Sequence, residues 1–265
     1  MELQKLFLIK KMKYDYTKLN ISRCLDKVGI KKGDILYCHS NIGFFGKIKS
    51  SNIAKLFYNI LKRKVGKRGT LIFPSYSYSF SKSCKKKIFN LKKNNFNMGM
   101  LSAYAFNQPE ISRTNDPMFS VLVCGKLKNE FLTISNNSFD EQSVFGKFFK
   151  YNGKIINFNF SGCTFLHFIE RKLNVNYRYD KTFRGNFVGQ SKKIQWISYV
   201  RKLSNPKFED DPFLFTKYIK KKKIAKFSKL GKGEVTSISA NQIYNVVKSN
   251  LKKNYWFLTA KGINH

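Results

Sequence analysis

The stretch Lys154-Ile155-Ile156-Asn157-Phe158-Asn159-Phe160-Ser161-Gly162-Cys163-Thr164-Phe165-Leu166-His167-Phe168-Ile169-Glu170 decides the fold. Its first five residues are an apolar run of strand length, and its end repeats apolar residues at helical spacing. The pattern predicts a strand over 154–158, a loop, and a helix over 164–173. Upstream, Leu19, Ile21, Cys24, Leu25 and Val28 predict a helix over 16–28, which a Gly29–Gly33 turn delivers into a buried strand over 35–38. Ser50 or Ser51 can cap a second helix reaching Lys64. A strand over 70–73 is stopped by Pro74, and helices over 100–106, 126–133 and 144–151 surround a strand over 119–124. Downstream, strand-like segments over 194–200 and 223–239 precede a last helix over 241–251. Strands alternating with helices at this spacing indicate an α/β sheet covered on both faces. Residues 1–265 read as a single domain, with 190–240 as a β-rich extension within it.

Hydrophobic residues make up 42% and aromatics 16% of 265 residues, the profile of a chain that buries a core. No apolar run approaches the roughly 18 residues of a membrane-spanning helix. Leu6-Phe7-Leu8-Ile9 is too short for a signal-peptide core, so the expectation is a cytoplasmic protein without membrane insertion. Fifty-one basic residues against fifteen acidic ones give +36. Of these, 43 are Lys and 8 are Arg, and Lys, Asn, Ile, Phe and Tyr supply about half the chain, the set that A/T-rich codons encode. Arg, the better fork for phosphates and guanine edges, is scarce, which disfavours nucleic acid as the partner. Lys220-Lys221-Lys222-Lys223 reads as a solvated helix end, where cations suit the dipole. Five widely spaced cysteines and three histidines offer no closely paired ligand set, so no metal is expected and the thiols should be reduced.

Thr164, His167 and Glu170 are spaced i, i+3, i+6 and form one stripe over two helical turns. A helix start at the carboxyl end of a parallel strand is where α/β folds place ligands. Its amides can hold an oxyanion, and His is the side chain suited to proton transfer near neutral pH. A core histidine donating to a carbonyl is the alternative. Cys163 and His167, at i, i+4, also permit a Cys–His nucleophile pair.

Six segments in order carry a resemblance. They are His39-Ser40, Gly69 to Phe80, Met98-Gly99-Met100-Leu101-Ser102, Arg113 to Val121, Ser143-Val144-Phe145-Gly146-Lys147, and Cys163 to Glu170 followed by Tyr177-Arg178-Tyr179. The set resembles the aminoglycoside 3-N-acetyltransferase family over residues 17–260. The resemblance implies a three-layer α/β/α fold with a mixed sheet, and direct acyl transfer from acyl-CoA or acetyl-CoA to an amine. His167 is then the general base in the Thr-x-x-His motif. Thr164 can hydrogen-bond the thioester oxygen as it becomes anionic, and Glu170 can orient the imidazole. His39, Ser40, Asn41, Ser75 and Ser77 become candidates to hold coenzyme A, with Ser75, Ser77 and Ser79 sharing one face if extended.

Two departures bear on the acceptor. Ser161-Gly162 stands where relatives carry a more polar pair, and Asp116 in Thr114-Asn115-Asp116-Pro117 replaces a histidine. The Arg-Thr-x-Asp-Pro and Tyr-Arg-Tyr segments resemble the branch acting on nucleotide-linked amino sugars for surface polysaccharides. In that reading Tyr76, Asp116, Arg113 and Arg178 bind substrate, and Arg113, Arg178 and Arg184 are the phosphate candidates. A net +36 attracts a sugar diphosphate and repels a polycation. The alternatives are an aminoglycoside-modifying enzyme and, in another class, a basic nucleic-acid-binding protein on an inactive transferase scaffold. The sequence leaves the acyl group and oligomeric state open, a homo-oligomer included.

Overall fold

The computed structural model describes residues 14–94, 97–202 and 212–260; the Leu6–Ile9 segment and His265 lie outside them. In chain order the strands are β1 (Ile35–Ser40), β2 (Thr70–Pro74), β3 (Ile88–Phe89), β4 (Ser112–Arg113), β5 (Val121–Gly125), β6 (Lys154–Phe158), β7 (Arg178–Phe187), β8 (Ile194–Arg201), β9 (Lys226–Leu230) and β10 (Gly233–Ser239). The helices are α1 (Lys18–Lys27), α2 (Ile53–Val65), α3 (Gly99–Phe106), α4 (Lys128–Leu132), α5 (Val144–Lys150), α6 (Leu166–Lys172), α7 (Pro212–Lys221) and α8 (Ala240–Lys253).

Seven strands form a mixed sheet in the order β4-β5-β2-β1-β6-β10-β9. Its centre, β2-β1-β6, is parallel, and the flanking pairs are antiparallel. Strand alternation sends side chains to opposite faces, and the two faces have separate cores. Leu36, Cys38, Ile156 and Phe158 meet Ile21, Leu25, Phe57, Leu61 and Leu101 of α1, α2 and α3. Tyr37, Ile72, Val123 and Ile155 meet Phe131, Phe145, Phe148, Ile169, Phe215, Ile243 and Val247 of the other five helices. The result is the expected three-layer α/β/α sandwich. No helix among the described residues is long and apolar enough to cross a membrane.

Segment 190–240 divides between two places. The hairpin β9–β10 extends the main sheet at β6. Strand β8 instead pairs with β7 in a second sheet, β3-β7-β8, over a small core of Phe80, Phe89, Met118 and Trp196; residues 203–211 lie outside the described residues. One local expectation is corrected. Asn52, not Ser50 or Ser51, caps α2, its side chain accepting from the Lys55 amide at 2.8 Å. β2 does end at Pro74, which is itself the last paired residue, opposite Val121 at the strand end where its lack of an N–H is tolerated. Lys220 and Lys221 do fall in the last turn of α7.

Candidate active site

The carboxyl ends of β1 and β6 lie side by side, with His39 opposite Asn157 in register. The chain leaving β6 crosses this end through Phe160, Gly162 and Cys163 before α6 begins at Leu166. Gly99, at φ +80°, lets the start of α3 close on the end of β1; a Cβ there would sit 3.0 Å from the Ser40 carbonyl oxygen. The His39-Ser40 and Met98-Gly99-Met100 segments are thereby brought together.

His167 stands on the first turn of α6, one quarter exposed, while Glu170 beside it is 2% exposed. The imidazole Nδ1 lies 3.0 Å from Glu170 Oε2. The same oxygen receives the Arg178 guanidinium at 2.8 Å from the first residue of β7, and Arg178 is only 4% exposed. Burial pushes the Glu170 carboxyl up, but the Arg178 charge and the His167 contact outweigh it and hold it below the usual range. Glu170 is therefore an anion at neutral pH and accepts from Nδ1–H, a bond that in the neutral imidazole leaves the lone pair on Nε2. Phe139 meets the imidazole edge-on, backed by Phe145 and then Tyr37.

The Tyr37 and Tyr76 hydroxyls hydrogen-bond each other in the core. Burial pushes both phenols up; the Thr164 hydroxyl beside Tyr76 pulls that one partly back. His39 is 4% exposed, stacks on Phe160 at 5.1 Å, and is held neutral by burial, with its pKa lowered to about 4. Its Nε2 and the Oδ1 of Asn157 are buried without a hydrogen-bond partner among the described residues.

Other expectations end elsewhere. Thr164 precedes α6 in a turn, so it forms no helical stripe with His167 and Glu170. The amides of Leu166, His167 and Phe168 already donate to Cys163, Thr164 and Phe165 carbonyls, so they offer no oxyanion site. Burial pushes the Cys163 thiol up to about 12, leaving no thiolate for a Cys–His nucleophile pair. Segment 75–79 is not a strand: Tyr78 has φ +48°, and Ser77 Oγ bonds Ser79 Oγ at 2.8 Å. Ser75 is fully buried against Ser120.

Arg113 is no phosphate ligand: it donates to Ser75, Asn90 and Lys93 carbonyls and to Ser120 Oγ, over the Phe89 ring. Arg178 is taken by Glu170. Asp116, 3% exposed, accepts from the Met118 and Phe119 amides in a closed turn. Ser40 and Asn41 stay at the partly open end of β1, where the Asn41 amide donates to the Phe158 carbonyl. Two residues outside the expected set, Tyr37 and Asn157, also belong to this end of the sheet. Tyr37 shares the face of His39 at i, i+2, and an asparagine inside an apolar strand is itself a signal.

Residues 38–252 match the family described as aminoglycoside 3-N-acetyltransferase, most of the chain. The chain belongs to that family. It is 24% identical over 189 residues to an SPbeta prophage-derived aminoglycoside N(3')-acetyltransferase-like protein, YokD, of Bacillus subtilis, covering 63% of this chain and 69% of the relative. Among solved structures, the aminoglycoside acetyltransferase AAC(3)-IVa apoenzyme superposes with TM-score 0.75 at 16% identity, over 94% of this chain and 93% of its own. AAC-IIIb, solved as a binary complex with CoASH, superposes with TM-score 0.72 at 15% identity, over 89% and 96%. At these identities the superpositions establish the shared fold. Family membership makes the chain an N-acyltransferase.

Proposed function

We propose that the chain transfers the acyl group of acetyl-CoA, or a related acyl-CoA, to an amine of an aminoglycoside-type amino sugar, with His167 as the general base. The single observation that carries the reading is the buried Glu170 anion bonded to His167 Nδ1, which leaves Nε2 as a base at a partly open position. An alkylammonium is mostly protonated at pH 7, so a base must take its proton before it attacks a thioester. Transfer is direct from CoA to amine, because the one cysteine beside His167 is held as a thiol.

The thioester arm fits the end of β1 and β6. The unpartnered Nε2 of His39 and Oδ1 of Asn157 offer one donor and one acceptor, the complement of a pantetheine amide. Ser40 and Asn41 flank that end, and Thr164 with Tyr76 supplies hydroxyls for the thioester oxygen. A nucleotide-linked amino sugar is the finer alternative. Its support is the net charge alone, since Arg113 and Arg178 are committed to the protein and only Arg184 remains of the phosphate candidates. One folded domain in the cytoplasm accords with five unpaired cysteines.

The test is His167→Ala. The variant should melt with the parent and lose roughly 10²–10⁴ in kcat with acetyl-CoA and an aminoglycoside. Retention of more than about a third of the parent kcat, at an unchanged melting temperature, would remove His167 from the base role.

A further inference from the structure

Glu170 presents an asymmetric problem. One oxygen, Oε2, is shared between His167 Nδ1 at 3.0 Å and Arg178 Nε at 2.8 Å. The other, Oε1, has no hydrogen-bond partner among the described residues. A carboxylate 2% exposed and half satisfied tends to take up a proton, because desolvation penalises the charged form. A protonated Glu170 would donate its own proton to Nδ1. His167 would then carry its proton on Nε2, the wrong tautomer for a base that must accept there. In a base-catalysed site that exchange alone removes function without moving a heavy atom.

We propose that Arg178 is the positioning residue that keeps Glu170 anionic and thereby fixes His167 as the Nδ1–H tautomer, with the Nε2 lone pair available to the acceptor amine. The inference rests on the base reading of His167. Arg178 does not touch substrate in this arrangement; it acts through Glu170. Its cation also cancels the Glu170 charge, so the buried group is net neutral when His167 is neutral.

The other charged and titratable groups facing this cluster are few. On α6, Arg171 is turned away into a paired contact with Asp180 of β7, at 2.9 and 2.7 Å. Tyr177 precedes Arg178, and Arg201 of β8 lies opposite it in register. Tyr199 of β8 is pushed up to about 12 by burial and by the Glu170 charge, so it stays neutral below pH 10 and donates to the Val175 carbonyl at 2.9 Å. Tyr255 flanks the Tyr177 ring. Arg171 is thus committed to Asp180 and Tyr199 is a neutral donor to a carbonyl, whereas Arg178 Nε sits 2.8 Å from Glu170 Oε2.

The decisive readout is the pH profile of Arg178→Met and Arg178→Lys against the parent. In Arg178→Met the carboxyl pKa rises into the assay range. kcat should fall by roughly 10²-fold at pH 6.5, where Glu170 is protonated, and recover at least tenfold toward pH 9 as it ionises, beyond any rise the parent shows. Arg178→Lys restores a cation and should hold most of the parent profile. Adding Glu170→Gln to Arg178→Met should abolish the recovery.

A loss in Arg178→Met that is flat across pH would overturn the inference while leaving His167 as base, and so would a parent-like rate at pH 6.5. Should Arg178→Met prove unstable, Arg178→Lys and Arg178→Gln, compared by the same ratio of kcat at pH 9 and 6.5, carry the test. Failure of the base reading shows separately, as retained activity in His167→Ala.

Discussion

At the scale of single residues, two buried titratable groups pull stability in opposite directions over one pH range. Asp116 has its pKa pushed up to about 6 by burial, only partly relieved by the Phe119 and Met118 amides. Its native state holds a proton that the unfolded chain releases near 4, so stability falls as pH rises between those values. His39 has its pKa lowered to about 4, again by burial. The unfolded chain binds that proton below about 6.5 while the native state refuses it, so stability rises with pH across the same window. Each slope is at most one proton, about 1.4 kcal/mol per pH unit, and the two largely cancel. Asp116→Asn keeps an Oδ1 for the two amides and removes only the falling slope. Melting temperatures between pH 4 and 6.5 should then climb more steeply with pH in the variant than in the parent. Parallel curves for the two proteins would mean that Asp116 is ionised throughout. His39→Gln should show the mirror image.

At the scale of elements, Arg113 is a tie rather than a ligand. From the short edge strand β4 it holds the Ser75 carbonyl beyond β2 and the Asn90 and Lys93 carbonyls near β3, linking the two sheets. Arg113→Met leaves those acceptors unpaired and should cost about 2–4 kcal/mol. The expected signature is a clear drop in melting temperature with little change in KM for either substrate. An Arg that held phosphate would give the reverse, a raised KM at unchanged stability. Nothing local in the sequence separates these roles, because Arg113 sits in a motif and its carbonyl partners lie 20 to 38 residues away. The same limit hid Arg178, visible in Tyr177-Arg178-Tyr179 but paired only once β7 packs on α6. By contrast β1, β2, β5 and β6 were legible: strands buried on both faces read as continuous apolar runs. β7 was not, since Arg178-Tyr179-Asp180-Lys181-Thr182-Phe183-Arg184 has few apolar positions and is made a strand by eight register pairs with β8. The His167–Glu170 contact was readable because i, i+3 on a helix is a fixed geometry, whereas Thr164 slipped off the stripe when α6 began two residues later than its pattern suggested.

At the scale of the whole molecule, a net charge of +36 acts oppositely on the two substrates of the proposed reaction. Coenzyme A is a polyanion and an aminoglycoside a polycation, so the long-range field draws one in and holds the other off. The carboxylates near His167 do little to reverse this among the described residues. Glu170 is neutralised by Arg178, Asp180 is clamped by Arg171, Asp116 is closed into its turn, and Asp140 accepts from Ser135 at 2.8 Å. Salt shrinks the Debye length toward about 8 Å at physiological strength and removes both effects together. The two substrates should therefore respond oppositely. Between about 20 and 200 mM salt, kcat/KM for acetyl-CoA at saturating amine should fall several-fold, and kcat/KM for a kanamycin-like aminoglycoside at saturating acetyl-CoA should rise. A nucleotide-linked amino sugar should follow acetyl-CoA, and a singly charged amino sugar should change least. A fall for the aminoglycoside would show that an acidic cleft, and not the surface lysines, governs how the acceptor arrives. The excess of Lys over acid would then be without consequence for the acceptor.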